Sequence, residues 1–347
     1  MGRRVSDRTA KLEETDGDAG AAETTYAEAI RRALRDAMAE DESVILLGQD
    51  TALGFPFGAT RDLVERFGAE RVIDTPISEA ATMGCGIGAA VHGLRPVVEV
   101  DYAGFLLLAF DQLVNNAAKL RYMSNGQLRV PIVVRVGQGP LGAFAAQHSQ
   151  SLQGWLANVP GLCVCTPATC QDAYETMRWS LRQGDPVVFN EDMRLYRSRG
   201  PLVEREPSGG TEARVVRPGR DATAIVFGYG VPRAHESAAV LAAEGIELEI
   251  LDLRFLSPLD VPAIRRSVRR TGRVVCVSDD PLLGGFSATL ATIATEQGAG
   301  FLESPVVRLG ARHTPVAYDR ELEKLTYPSS ESLATAVRHL VAGGATA

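Results

Sequence analysis

Short apolar runs alternate with amphipathic stretches along this chain, in two blocks, and that alternation restricts the fold more than any other feature. The runs Val44–Leu47, Pro96–Val100, Pro131–Val136, Leu162–Cys165 and Pro186–Phe189 are too short for buried helices and are rich in β-branched residues. Between them lie helical stretches such as Phe105–Met123 and Gln171–Arg182. A strand buried on both faces reads as a continuous apolar run, so the pattern predicts a parallel sheet with helices on both sides. Ahead of the first run, Thr25-Tyr26-Ala27-Glu28 has capping-box spacing and opens a helix whose Ile30, Ala33, Leu34, Ala37 and Met38 share one face.

From Ser198 to Arg220 the periodicity fails and Pro, Gly, Arg and Glu dominate, which marks a junction. Beyond it, strands are expected at Thr223–Phe227, Leu248–Leu251 and Val274–Val277. Helices are expected around Arg233–Ala243, Val261–Arg270, Phe286–Gln297 and Glu331–Val341. The prediction is an α/β chain of two domains, 23–200 and 220–347, joined by a linker over 201–219. Residues 1–22 mix both charge signs with Gly and Ala and have no apolar segment, so they are expected to form a disordered arm rather than a signal peptide.

At 347 residues, 45% hydrophobic and 23% charged, the composition is that of a globular protein, and no apolar run approaches the roughly 20 residues a bilayer requires. No membrane partner is expected. The net charge of −7 offers no basic field for a phosphate backbone, so nucleic acid is not an expected partner either. Five cysteines, Cys85, Cys163, Cys165, Cys170 and Cys276, form no CxxC pair. They read as reduced core thiols of a cytoplasmic protein rather than disulfides or a zinc set.

Three segments offer chemistry. Asp74-Thr75-Pro76-Ile77-Ser78-Glu79 delivers a carboxylate to the start of a small-residue helix running from Ala80 to Val91, with Pro76 ending a strand and Ser78 placed as N-cap. A first-turn Glu gains about 0.3–1 kcal/mol from the helix dipole, so capping alone accounts for the arrangement; the same carboxylate is also placed to do chemistry. Gly137-Gln138-Gly139-Pro140-Leu141-Gly142 has GxGxxG spacing. However, Pro140 interrupts the turn and no Asp or Glu occurs from Ala143 to Gln171, so a ribose partner is missing and close backbone approach is the better reading. His148, in Ala146-Gln147-His148-Ser149-Gln150-Ser151, is a loop histidine beside glycines and a candidate acid–base group. The adjacent Ser149 makes no triad.

Taken together, these residues resemble the β subunits of thiamine diphosphate-dependent 2-oxoacid dehydrogenases, the decarboxylating components of the pyruvate, branched-chain and acetoin complexes. The resemblance extends from Tyr26 to Leu340. Its strongest segments are Arg71–Glu79, Gly93–Glu99, Phe110–Tyr122, Gln147–Ser151, Asp252-Leu253-Arg254 and Gly284-Gly285-Phe286. It implies a pyrimidine-binding domain of the transketolase type followed by a transketolase C-terminal-like domain. It also implies that Glu79 hydrogen bonds the cofactor's aminopyrimidine and promotes its imino tautomer, whose nitrogen removes the thiazolium C2 proton to form the ylide that attacks a 2-oxo acid. By the same resemblance Ile77 and Phe105 pack on the pyrimidine, and His148 assists proton transfer or passage of the acyl group to a lipoyl arm on a dihydrolipoyl acyltransferase.

A potassium site is implied around Ile132, Ser180, Leu181, Gln183 and Asp185, with Gln183 standing where an acidic residue is usual. Members of this superfamily hold the cofactor's Mg²⁺ with a Gly-Asp-Gly segment, and none occurs here. The resemblance therefore implies an α subunit carrying the diphosphate and Mg²⁺ half of the site, in an α₂β₂ heterotetramer. Gln49 replaces a usual Glu, and Ser278-Asp279-Asp280 replaces a His-Glu-Ala type segment. Such changes bear on substrate and acceptor, and leave two alternatives: an acyloin-forming carboligase of the same architecture, or an assembly subunit without turnover.

Overall fold

A computed structural model describes residues 21–343 apart from positions 55 and 208, so positions 1–20 of the expected arm lie outside the described residues. Ala22 already opens a strand, Ala22–Thr25, paired antiparallel with Arg199–Leu202. The first domain is built on a seven-stranded sheet in the order Phe255–Ser257, Cys163–Cys165, Val187–Asp192, Val133–Gln138, Arg95–Val100, Val44–Gly48, Val72–Asp74. All neighbours run parallel except Phe255–Ser257, which is antiparallel to Cys163–Cys165.

Alternation within each strand feeds two cores. Val44, Leu46, Val97, Val133, Val187 and Phe189 join Ile30, Leu34 and Met38 of helix Tyr26–Glu40 and Met177 of helix Cys170–Ser180. Ile45, Leu47, Val98, Val134 and Val188 join Met83 and Ile87 of helix Glu79–Val91 on the other face. Each fully buried aliphatic side chain contributes about 1.5–3 kcal/mol. With both faces buried, a slip of one residue would exchange the two sets, so the register is specified strongly. Helix Glu79–Val91 approaches the sheet closely at Gly86, where a Cβ would come within 2.6 Å of Val98 Cγ2.

The second domain holds a five-stranded sheet in the order Val307–Ala311, Val274–Pro281, Ala222–Val226, Leu248–Asp252, Arg214–Arg217, the last antiparallel. Two departures from expectation concern the junction. The stretch expected as a linker carries part of Arg199–Leu202 and all of the edge strand Arg214–Arg217, whose half-exposed Arg-Val-Val-Arg has no apolar alternation to betray it. Phe255–Ser257 then returns to the first sheet, so one apolar core runs from Met83 and Leu113 through Leu156 and Leu256 to Ile264 and Leu290.

The helix expected over Phe105–Met123 is interrupted. A turn at Ala103–Leu106 tightens to a 3₁₀ turn at Leu107–Ala109, widens to a π-helical segment at Gln112–Ala117 and resumes as Ala118–Met123. Within it Asn115 Nδ2 donates to the Asp111 carboxylate at 2.7 Å, and such local side-chain bonds compete with a regular ladder. The capping box at Thr25 is half formed. Thr25 Oγ1 accepts from Glu28 N at 3.2 Å, while the Glu28 carboxylate turns to Arg31 and Arg32 at 2.6 and 3.0 Å. All five cysteines are free, and burial pushes the Cys163 and Cys276 thiols up to about 12, which keeps them protonated and inert. Among the described residues no helix is long and apolar enough to cross a membrane, and no cluster of His, Cys, Asp and Glu could hold a metal ion.

Candidate active site

Parallel strands carry their ligands beyond their carboxyl ends, and there the first domain opens a cleft of about 410 Å³. One wall follows strand Val72–Asp74. Thr75 N donates to Gly48 O at 2.9 Å, and Asp74 accepts from Ala52 N at 2.7 Å. Ser78 is the N-cap residue of helix Glu79–Val91, but its side chain makes no capping bond. Instead the Thr75 and Thr82 hydroxyls meet at 3.1 Å and tie the entering chain to the first turn. Glu79 lines the cleft from that turn, with no hydrogen bond or ion pair to any described residue. Its neighbour Ile77 is 72% exposed at the rim, unusual for a large aliphatic side chain in a cleft wall.

Aromatic residues line the cleft too. Tyr102 and Phe105 follow strand Arg95–Val100, and His148 sits edge-on to both rings, at centroid distances of 4.6 and 5.1 Å. His148 ends a single helical turn, Ala145–His148, where sequence reasoning expected a loop. That turn is held from three sides. Gly104 packs so closely that a Cβ would come within 2.3 Å of Gln147 O, Ser149 O accepts from the Tyr327 hydroxyl at 2.7 Å, and Ala143 and Ala145 adopt positive φ of 68° and 59°. Backbone held in that region costs of order 1–3 kcal/mol per residue and persists only where its surroundings impose it. Glu79, Ile77, Phe105 and His148, distant in sequence, thus share one cleft.

Sequence reasoning missed the acidic floor. Glu99 is nearly buried and forms an ion pair with Arg135 at 3.0 Å. Arg135 in turn makes two bonds to Glu191, at 2.7 and 2.9 Å, and the Tyr196 hydroxyl donates to Glu191 at 2.7 Å. Burial raises the Glu99 pKa, Arg135 opposes this and Glu191 adds to it. Two carboxylates share one guanidinium, so excess negative charge faces the cleft. Asp101 feels it: burial first, then Glu99 and Asp50, push its carboxyl up to about 7, against the pull of Arg135. The signal available beforehand was the charged pair Glu99 and Asp101 at the end of an otherwise apolar strand.

Of the departures noted in the sequence, Gln49 lines the cleft and donates to Asp50 at 3.3 Å. Asp279 does not line it. It pairs with Arg194 of the first domain and, at 2.9 Å, with Arg233 of the second. Burial alone would raise its pKa, but the two guanidiniums hold it at about 2. Asp280 accepts from Phe286 N at 2.8 Å and so caps helix Phe286–Gln297. Both residues hold elements of the fold together, and neither lines the cleft. The segments named for potassium do adjoin one another. There the Ile132 carbonyl accepts from Val187 N at 3.0 Å, and Arg95 donates to the Leu181 and Gln183 carbonyls at 2.9 and 3.1 Å. Ser180 Oγ donates to Thr176 O, and the Asp185 carboxylate pairs with Arg121.

The matches of the two domains to known families define the class of this chain, that of transketolase-type domains. Residues 22–199 match the family model "Transketolase, pyrimidine binding domain" and residues 211–333 match "Transketolase, C-terminal domain". The pyruvate dehydrogenase E1 component subunit beta of Rhizobium meliloti is 39% identical over 318 residues, 89% of this chain and 69% of that protein. The acetoin:2,6-dichlorophenolindophenol oxidoreductase subunit beta of Cupriavidus necator is 39% identical over 330 residues, 91% of this chain and 97% of that one. Among solved structures, a split-gene transketolase described as an inactive beta4 tetramer shares the fold with a TM-score of 0.72 and 21% identity, over 91% of this chain and 98% of that chain. Transketolase from Leishmania mexicana gives 0.71 and 16%, over 94% and 46%. The chain belongs to the family of β subunits of thiamine diphosphate-dependent 2-oxoacid dehydrogenase E1 components.

Proposed function

We propose that this chain is the cofactor-activating subunit of an enzyme that decarboxylates a 2-oxo acid and passes the acyl group to a lipoyl acceptor. The observation that carries the reading is Glu79: a carboxyl without a protein partner, placed by a helix start in a cleft that Phe105 and His148 also line. These residues fit the pyrimidine half of thiamine diphosphate, an aromatic ring needing one acid at a ring nitrogen and flat apolar contacts above and below it. When bound, the cofactor supplies the carbon nucleophile that attacks the 2-oxo group. Glu79 holds a proton at the pyrimidine nitrogen, Phe105 and Ile77 fix the plane of the ring, and His148 stands where it moves a proton to or from the substrate.

With no Gly-Asp-Gly in the chain, Mg²⁺ and the diphosphate fall to an α subunit, in an α₂β₂ heterotetramer that meets a dihydrolipoyl acyltransferase. The exposed Ile77 at the cleft rim supports a shared site, since an apolar side chain there gains by being covered. Thiamine diphosphate should accordingly bind the α/β assembly and fail to saturate the separated chain in calorimetry. Tight binding by the chain alone would contradict the split site. A potassium ion does not fit the residues present. The Arg95 guanidinium already occupies two of the carbonyls, and a second cation about 4 Å away would be repelled by about 4 kcal/mol at an effective dielectric of 20. Five free cysteines without a disulfide agree with a cytoplasmic location.

Gln49 in the cleft wall, in place of a usual Glu, favours one second reading, an acyloin-forming carboligase. The assembled enzyme with pyruvate should acylate a lipoyl domain. Product formed only when an aldehyde replaces the lipoyl domain would select the carboligase.

A further inference from the structure

Of the three carboxyl groups that line the cleft, Glu79 serves the proposed mechanism, Glu99 is paired with Arg135, and Asp101 is left without a task. Asp101 follows strand Arg95–Val100 and lines the cleft together with Glu79, Tyr102, Phe105 and His148. Like Glu79, it has no hydrogen bond or ion pair with any described residue, so its oxygens are free for a ligand. Its position is well determined, because Val97–Val100 pair in register with Val133–Val136 and Phe105 N bonds back to Tyr102 O at 2.9 Å.

The groups that face it come from every neighbouring element: Glu99 and Arg135 from the sheet, Asp50 beyond strand Val44–Gly48, Glu79 from its helix, and His148 from the turn packed on Tyr102. Arg135, the nearby cation, is already committed to Glu99 and Glu191. No arginine or lysine among these groups is therefore left unpaired to meet a substrate's carboxylate.

We propose that Asp101 is a specificity-determining residue of this cleft, accepting the carboxylate of a 2-oxo acid by donating a hydrogen bond as a neutral acid and repelling it once ionised. The proposal rests on the 2-oxo acid reading. The chemistry is a balance between two states of one group. A protonated carboxyl can donate to an anionic oxygen, a charge-assisted bond of short length, whereas an ionised one at the same distance only adds repulsion. With the carboxyl held at about 7, the exchange between the two falls at neutral pH. The pKa lies above the ordinary value for Asp, so the neutral form prevails below about 7 and the anion above it.

The test uses the assembled, cofactor-loaded enzyme and the unreactive pyruvate isostere oxamate. Its Kd should weaken roughly tenfold between about pH 6 and about pH 8 in the natural protein and stay flat in Asp101→Asn. Infrared difference spectra over the same interval should show a protonated-carboxyl band in the natural protein that the variant lacks. Asp101→Ser serves if the amide variant fails to assemble. A pH dependence that persists in the variants, or the absence of that band in the natural protein, would overturn the proposal. Turnover of 2-oxo acids with a flat Kd would remove the role of Asp101 alone. The expected Kd profile without turnover would instead remove the functional reading and leave Asp101 in place.

Discussion

Replacing Glu79 with Gln should leave the assembled enzyme folded and slow exchange of the C2 proton of bound thiamine diphosphate by roughly 10²–10⁴-fold, the usual contribution of a positioned acid–base group. The amide keeps the size of the side chain and can still hydrogen bond a ring nitrogen, but it cannot carry a labile proton in the same way. Because Glu79 makes no hydrogen bond or ion pair with a described residue, little stability should be lost, and a Tm within a few degrees of the natural protein is expected. Deuterium exchange followed by proton NMR after acid quench reads the rate directly. Unchanged exchange would take Glu79 out of the mechanism and leave it as a helix-start charge worth about 0.3–1 kcal/mol.

The second large effect concerns Arg135. Changing it to Met preserves much of the aliphatic volume but strands the buried Glu191 and the nearly buried Glu99 without their shared cation. Breaking a buried ion pair from one side typically costs about 3–5 kcal/mol, so the assembled enzyme should melt on the order of 10 °C lower. The loss should depend on pH with a definite sign. Burial raises the Glu99 pKa above its unfolded value and Arg135 is what opposes this, so without the cation Glu99 is neutral and tolerated at low pH, and the penalty grows as pH rises from its unfolded to its folded pKa. Melting curves of Arg135→Met at about pH 5.5 and about pH 8 should therefore diverge more than those of the natural protein, and equal shifts would show that the pair is not the cause. A double variant with Glu191→Gln should recover part of the loss, because one of the two stranded charges is gone.

Glu79 and Arg135 differ in how visible they were beforehand. Glu79 follows Pro76 and Ser78 at the head of a small-residue helix, a local pattern that reads directly from the sequence. Arg135 sits in the middle of Val133–Gln138, a strand whose apolar neighbours suggest only a core position. Nothing local shows that Glu99 and Glu191 arrive on adjacent strands to meet it; strand order settles that, and strand order is a long-range property. The same holds for the Phe255–Ser257 return to the first sheet and for Arg214–Arg217 in the expected linker, where edge pairing through backbone hydrogen bonds leaves little trace in side-chain pattern.

The break in the expected helix over Phe105–Met123 is a further case. Its composition is helical throughout, but Gly104 must admit the Gln147 carbonyl and Phe105 must face His148, and the chain meets those demands by changing winding over a short distance. Asp279 is another case: nothing local to it in the sequence shows that, in the folded chain, two guanidiniums from different domains pair with it.

By itself, the sequence determined the α/β class, most element positions and the placing of Glu79 on a first helical turn, because periodicity, capping and turn chemistry act within a few residues. Only the tertiary structure decided that Phe105 and His148 share a cleft with that carboxyl, that Glu99 and Glu191 compete for one buried guanidinium, and that Asp101 is left without a partner in the same cleft. Those relations depend on which strands lie side by side and on how much water the packing excludes. Charge interactions take their strength from that exclusion, so the chemistry of the cleft comes into view only once the chain is folded.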